Sequence, residues 1–562
     1  GTTRCVCALL LCLLLLSAAG RASASMPQDD LNPVTFKKAP SHEPVVLVRD
    51  GEAVGAICVM GPAPARVVSD LQSHIRMATG AELPVLKDEI REPAIVIGDC
   101  EAAAEAGLRG EEMPIEGFEI KTAPGRIYLV GHEDLGTGWA IYEFLERFVG
   151  VRWYWPEARE DEFAPGTSVP QTKTLSVEPV WLADAPFFRK REIWPSGGPR
   201  VVPARLGDHH RRLRSVDTWP TKLIVHAPHD WATPYRETRP EIFQLRADGK
   251  RDFGMLCYGD PLTLKTYLEE IELQLREDAE TPNLRRIIKD KAITVSPYDM
   301  AVSCRCEHCR ALWDENGGTY GTASRVLATF VANLAREVKK RWPDMTVIFL
   351  PYKNYTRAPE GIEFPDNVEV QICGMPGLAQ HKEPSINEAE QDNIDAWVRI
   401  SGRRIQNWHY SCWPANRTSA AYLFPHVIQE HYRANLDKTV GSFINGVKDH
   451  WPRQHVSLYC WLKVLWDPDF NVDVAIDEYC RRMYGPAADT VRELVRMQID
   501  GWERSRWPGA TFSPKGVYEV SFPREDVIRM EKLLERAFRE AEGDETVTQR
   551  LEYYAGPLRA FF

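Results

Sequence analysis

The feature that most constrains the fold is a series of short apolar runs between about residue 190 and residue 450. Each ends in polar or aromatic residues, and most are separated by helix-like segments. They are Arg191 to Trp194, Leu223 to His226, Phe253 to Tyr258, Ala292 to Asp299, Thr346 to Lys353, Val368 to Gly374, Arg404 to Tyr410 and Val440 to Val447. Strands buried on both faces read as such runs, and strands alternating with helices build βαβ units. The rhythm predicts a central (β/α)8 TIM-like barrel over 185–468, with its chemistry at the strand ends. The second run is the weakest, with only Leu223, Ile224 and Val225 leading into His226.

A chain of 562 residues exceeds one ordinary core, so flanking units are expected. Residues 45–178 read as an α/β accessory domain. Val45 to Val48 and Val54 to Val59 are strand-like around an Asp50-Gly51 turn. Val67, Val68, Leu71, Ile75 and Met77 mark a helix over 63–79 that Gly80 stops. In the barrel region helices are expected over 323–340, 386–400 and 422–436. Residues 469–562 turn helical, giving an α/β protein with a helical C-terminal domain.

Arg4, an apolar stretch from Ala8 to Leu16 and the small residues Ala22-Ser23-Ala24 form a secretory signal pattern over 1–24, too short to span a membrane. It predicts a secreted or periplasmic protein. Removing 1–24 takes away Arg4 and Arg21 and no acids, moving the net charge from -11 to -13. That balance opposes nucleic acid and anionic membranes as partners. Of the 13 cysteines, Cys5, Cys7 and Cys12 fall in the leader, and the remaining ten are too sparse for a disulfide-built scaffold. Asn354 and Asn416 open N-x-T acceptors, which matter only in a eukaryotic secretory route.

The runs Gly117-Phe118-Glu119-Ile120, Ile127 to Gly131, Gly136-Thr137 through Glu146 and Gly150-Val151-Arg152-Trp153 resemble the N-terminal accessory domain of bacterial α-glucuronidases and β-hexosaminidases. More closely, the chain resembles the secreted bacterial family known as domain of unknown function 4838. The resemblance lies in the segment around Cys257, in Asp299 with Cys304-Arg-Cys306-Glu-His-Cys309, and in Tyr459 to Gly485 with Leu465-Trp466-Asp467-Pro468. It implies a glycosidase-like architecture and leaves the substrate open.

Asp299 closes a hydrophobic strand at a polar end, where a barrel places a general acid or base. Glycoside cleavage asks for a second carboxyl, and Asp449 and Glu192 are the candidates by position. Asn445 stands where an acid would have been convenient. The pair Asp314-Glu315 falls in a loop before Gly317-Gly318, which disfavours an acetamido-assisted route. His226, His229, Trp231, Tyr258, Tyr352, Lys353, Trp408, His409, Tyr410 and Trp413 cluster at or just past strand ends, as sugar-stacking and hydroxyl-bonding groups would. Alternation puts Trp408 and Tyr410 on one side of their strand and His409 on the other. Lys353 or Lys448 could pair with a substrate carboxylate.

Cys304, Cys306 and Cys309 have metal-clip spacing, with Cys257 or His308 as a fourth ligand for structural zinc; the same four cysteines could instead form two disulfides. The expectation is a carbohydrate-active protein, a glycoside hydrolase whose catalysis requires no cofactor. The alternative is a non-catalytic glycan-binding protein on the same scaffold.

Overall fold

The computed structural model describes residues 33–156, 165–194, 206–276, 280–374, 377–411, 420–446, 451–504 and 517–562; the leader pattern at 1–24 lies outside them. The N-terminal third builds a seven-stranded sheet in the order Thr35–Phe36, Trp181–Asp184, Phe118–Ala123, Arg126–Gly131, Ala94–Ile97, Ala56–Val59, Val85–Lys87. The last four are parallel and the first three antiparallel. The Asp50-Gly51 turn forms, with φ of +52° and +84° as a tight hairpin demands, but it joins Val45–Arg49 to Glu52–Ala53. Ala56–Val59 then leaves for the larger sheet. The helix read from the apolar stripe runs over Ala65–Thr79 and ends at Gly80.

Among the described residues the central sheet has eight strands and is curled and open rather than a closed barrel. Lys190–Trp194, Thr439–Asn445, Ile405–Tyr410, Val368–Cys373, Thr346–Phe349 and Ala292–Val295 run parallel in that order. Val216–Asp217 and Ile288–Lys289 flank the two edges antiparallel. Two expected strands are corrected. Residues 223–226 form no ladder; the amides of Ile224 and His226 donate to the hydroxyls of Thr294 and Ser296 at 3.1 and 3.0 Å. The third run pairs locally, Arg251–Leu256 against Phe243–Leu245, because the intervening turn closes a short loop at little entropic cost. The opening in the sheet lies where these two strands were expected.

Register assigns the faces. Glu192 stands opposite Phe443, Phe443 opposite Trp408, and Trp408 opposite Cys373, so these share the inner face with Gln371. Ile193, Ile444, His409 and Ile372 take the outer face. Helices cover that outer face where the apolar periodicity placed them. They run over Ser324–Arg341, Pro384–Ser401 and Pro425–Ala434, the first burying Val326, Leu327, Phe330, Leu334 and Val338. His455–Trp466 is buried along its whole length and leads into Val472–Tyr484, Ala488–Glu503, Arg524–Glu540 and Glu545–Ala555. Among the described residues no helix is long and apolar enough to cross a membrane.

Buried ion pairs tie the N-terminal part of the chain to the central sheet and to the helices that follow it. Arg191 meets Glu116 at 2.6 Å, Arg214 meets Glu143 at 2.6 Å and Glu146 at 3.3 Å, and Arg152 meets Glu478 at 2.9 Å. All these side chains are at most 3% exposed. Lys463 bonds Glu146 from the central side. Trp466 enters the core of the N-terminal sheet, donating to Asp184 at 2.7 Å, with the Arg214 guanidinium 4.4 Å from its ring.

Removing one partner of a buried pair strands the other charge. Arg191→Met is therefore expected to cost about 3–5 kcal/mol in urea unfolding, through the uncompensated Glu116. Cutting the exposed Arg76–Glu82 pair by Arg76→Ala is expected to cost less than about 1 kcal/mol. Equal, small effects of the two substitutions would contradict the role given to the buried pairs.

Candidate functional site

The inner face of the curled sheet encloses a cavity of about 640 Å³. Glu192, Trp194, Trp408, Phe443 and Gln371 line it from the parallel strands, and Asp217, Lys222 and Lys289 from its edges. Trp194 is 51% exposed, with its ring 6.2 Å from Phe443, while Trp408 and Phe443 pack at 4.4 Å. The wall is thus a run of flat aromatic faces beside a carboxyl group. Burial pushes the Glu192 carboxyl above its ordinary pKa; the Lys190 charge opposes this and the Asp217 charge adds to it. Trp408 Nε1 and Gln371 Oε1, both buried, have no hydrogen-bond partner among the described residues. Asn445 Oδ1, further along the same face, is likewise unpartnered. Polar atoms left this way mark places for water or a ligand's hydroxyls.

Asp299 sits beyond the end of Ala292–Val295 and is not part of that wall. Its Oδ1 accepts from the Tyr352 hydroxyl at 2.7 Å and faces Lys353 Nζ at 3.1 Å. Partial burial raises its pKa, but the hydrogen bond from Tyr352, then that from Lys353 and its charge, outweigh this and leave the pKa below the ordinary value. The Asp299 side chain is 62% exposed. His226 lies beside Tyr352 and His229, and its Nδ1 donates to the Pro297 carbonyl at 2.9 Å. A series of contacts leads from Asp299 to the cavity. Tyr352 neighbours Tyr410, whose hydroxyl accepts from Cys373 Sγ at 3.5 Å and whose ring lies 6.2 Å from Trp408.

The other residues singled out in the sequence fall elsewhere. Trp231 and Tyr258 are buried in packing, Trp231 against Tyr267 and Tyr258 against Phe330. His409 points away from the cavity, as alternation predicts, toward Tyr432 and His431. Asp449, Lys448 and Trp413 lie outside the described residues. One carboxyl escaped the sequence reading. Glu390 is 6% exposed, and burial raises its pKa to about 7. It occupies a core position of Pro384–Ser401, between Ile386 and Ile394. An acid inside an apolar helical stripe was the available signal.

Cys257, Cys304, Cys306 and Cys309 place their sulfurs within 4.8 Å of one another, a set that could hold a metal ion. His308 is exposed and stands apart from that set.

Fold and cavity together define an α/β protein with a ligand-sized hollow on the inner face of a curled, mostly parallel sheet. Residues 164–496 match the family described as a domain of unknown function (DUF4838); the chain belongs to that family. No curated protein matches the chain. Among solved structures, CpGH84B and CpGH84D are similar to it at 10% identity. The first covers 96% of this chain and 91% of its own with a TM-score of 0.44. The second covers 96% and 89%, with a TM-score of 0.47. Likeness of that extent carries no residue role across.

Glu390 gives a pH test. Its folded pKa stands above the unfolded 4.5, so the folded chain holds the extra proton, and stability falls as pH rises from 4.5 through about 7. Glu390→Gln is expected to stabilise the protein at pH 8 by on the order of 3 kcal/mol and to change little at pH 4. Equal unfolding midpoints for the two proteins at pH 8 would contradict the assignment.

Proposed function

We propose that the protein is a secreted carbohydrate-active protein that binds a poly- or oligosaccharide across the inner face and hydrolyses an O-glycosidic bond. The observation that carries this reading is Glu192, a carboxyl whose pKa burial raises, set in a cavity walled by Trp194, Trp408 and Phe443. Aromatic faces stack on the apolar faces of sugar rings, and a carboxyl held above its ordinary pKa suits protonation of a leaving glycosidic oxygen. Asp299, held ionised by Tyr352 and Lys353, has the complementary character of a base or nucleophile. Lys353 and the cavity's Lys222 and Lys289 suit a sugar that carries a carboxylate. The chemistry needs no cofactor. The leader pattern at 1–24 supports the secretory route. The division into an accessory unit over 45–178, a barrel-derived unit over 185–468 and a helical unit over 469–562 is part of the same proposal.

A second reading, a glycan-binding protein without catalysis, is favoured by one observation: Asp299 does not line the cavity that holds Glu192. Release of reducing sugar from a broad glycan panel, run beside calorimetric binding, separates the two. Hydrolysis predicts that Glu192→Gln and Asp299→Asn each lower the rate on the order of 10²–10⁴-fold with affinity nearly intact. It also predicts a bell-shaped kcat/KM profile. The acid limb, set by Asp299, lies below the ordinary carboxylate range; the alkaline limb, set by Glu192, lies above it. Trp408→Ala is expected to weaken binding about tenfold under either reading. A wild-type protein that binds one glycan and releases nothing from any would decide for the second.

A further inference from the structure

We propose that Cys257, Cys304, Cys306 and Cys309 form a structural zinc site, a closed tetrahedral set of four thiolates clamping the loop after Asp299 to the hairpin Phe243–Leu245/Arg251–Leu256. The geometry of the sulfurs is the first argument. Cys257 Sγ lies 3.4 Å from Cys306, 3.5 Å from Cys304 and 3.6 Å from Cys309. Two disulfides would break the four sulfurs into two bonded pairs about 2 Å apart. Here one sulfur is nearly equidistant from the other three, as a vertex of a tetrahedron is. Zinc–sulfur bonds of about 2.3 Å place tetrahedral sulfurs about 3.8 Å apart, close to the three distances from Cys257 and within the 4.8 Å that spans the whole set.

The surroundings are those of thiolates. The Leu245 amide donates to Cys304 Sγ at 3.2 Å, and the Cys309 amide to Cys306 Sγ at 3.4 Å. Backbone N–H groups aimed at sulfur offset the charge left when each thiol gives its proton to solvent and takes the metal. Cys257, Cys304 and Cys309 are buried, so four protein ligands close the site and no position stays open for catalysis. Gly259 makes the approach possible, since a Cβ there would stand 2.8 Å from Cys309 Sγ and 2.9 Å from the Cys309 amide nitrogen.

The clamp has a mechanical consequence. Ser303 and Arg305 donate their amides to Gln244 Oε1 and the Leu245 carbonyl, while Val302 exchanges two hydrogen bonds with Asn354, the neighbour of Lys353. The loop that carries Asp299 is thereby fixed at the hairpin by the metal and at the Tyr352–Lys353 turn by Asn354.

The proposal stands apart from the glycan reading, because metal content is measured without substrate. The full chain, produced with zinc and dialysed against metal-free buffer, is expected to hold one zinc per chain by elemental analysis. Cys257→Ser and Cys309→Ser are expected to retain less than a tenth of it, and Cys100→Ser, which alters a cysteine outside the cluster, all of it. Should the first two variants fail to fold, titration of the wild type with an organomercurial is expected to release one zinc as the cluster thiols react. A metal-free wild type, an intact mass short of four hydrogens from two disulfides, iron in place of zinc, or zinc retained by both cluster variants would each overturn the assignment.

Discussion

The structure depends on the buried ion pairs between the N-terminal sheet and the first parallel strand of the central one. Arg191 turns outward to Glu116, and its neighbour Glu192 turns inward to the cavity. Because side chains alternate along a strand, one choice entails the other. A slip of one residue would bring the Glu192 carboxyl against Glu116 and set an unpaired guanidinium among the inner aromatics. Burying like charges together costs far more than a sheet ladder returns, so the ion pair fixes which carboxyl the cavity receives. Arg214 and Lys463 repeat the device, joining Glu143 and Glu146 to the central side, and Arg152 extends it to Glu478 of the helix Val472–Tyr484. Trp466 fills the space between them.

This arrangement accounts for sequence features that carried no mechanism when read alone. Leu465-Trp466-Asp467-Pro468 carried part of the family resemblance; it ends a fully buried helix whose indole belongs to the other sheet's core. Only tertiary contact reveals that, since an isolated Trp in an apolar run reads the same whichever core it enters. The helices over Ser324–Arg341, Pro384–Ser401 and Ala488–Glu503 were legible because an amphipathic stripe is a local signal. Six of the eight expected runs were legible as parallel strands for a similar reason. The exceptions were Leu223 to His226, with three apolar residues and a proline at 228, and Arg251–Leu256, whose nearest partner in sequence outcompeted a distant one.

At the site, position along the chain was readable and depth was not. Glu192 was marked by its place on the first strand and Asp299 by standing at a strand end, and the structure gives them opposite electrostatic settings that no spacing encodes. Trp231 and Tyr258 carry the same residue types as a sugar platform and serve as packing. Indole and phenol rings suit both duties, so composition cannot separate them. The four cysteines were legible as a set, but the choice of Cys257 over His308 required two segments 47 residues apart to meet.

The opening in the central sheet and the polarity of its inner face belong together. A closed barrel fills its interior with layers of branched apolar side chains. Here that face carries Glu369, Gln371 and Gln406, bonded in part to one another and to Trp219, whose indole donates to Glu369 at 2.9 Å. Such groups cannot pack as a dry layer without leaving polar atoms unmet, and the side of Ala292–Val295 that would receive the next parallel strand pairs instead with Ile288–Lys289, while the hydroxyls of Thr294 and Ser296 accept from the amides of Ile224 and His226. A polar inner face thus keeps the hollow from collapsing, and the missing wall leaves it accessible. Of Glu369, Gln371 and Gln406, Gln371 lines the hollow, and its Oε1 has no hydrogen-bond partner among the described residues.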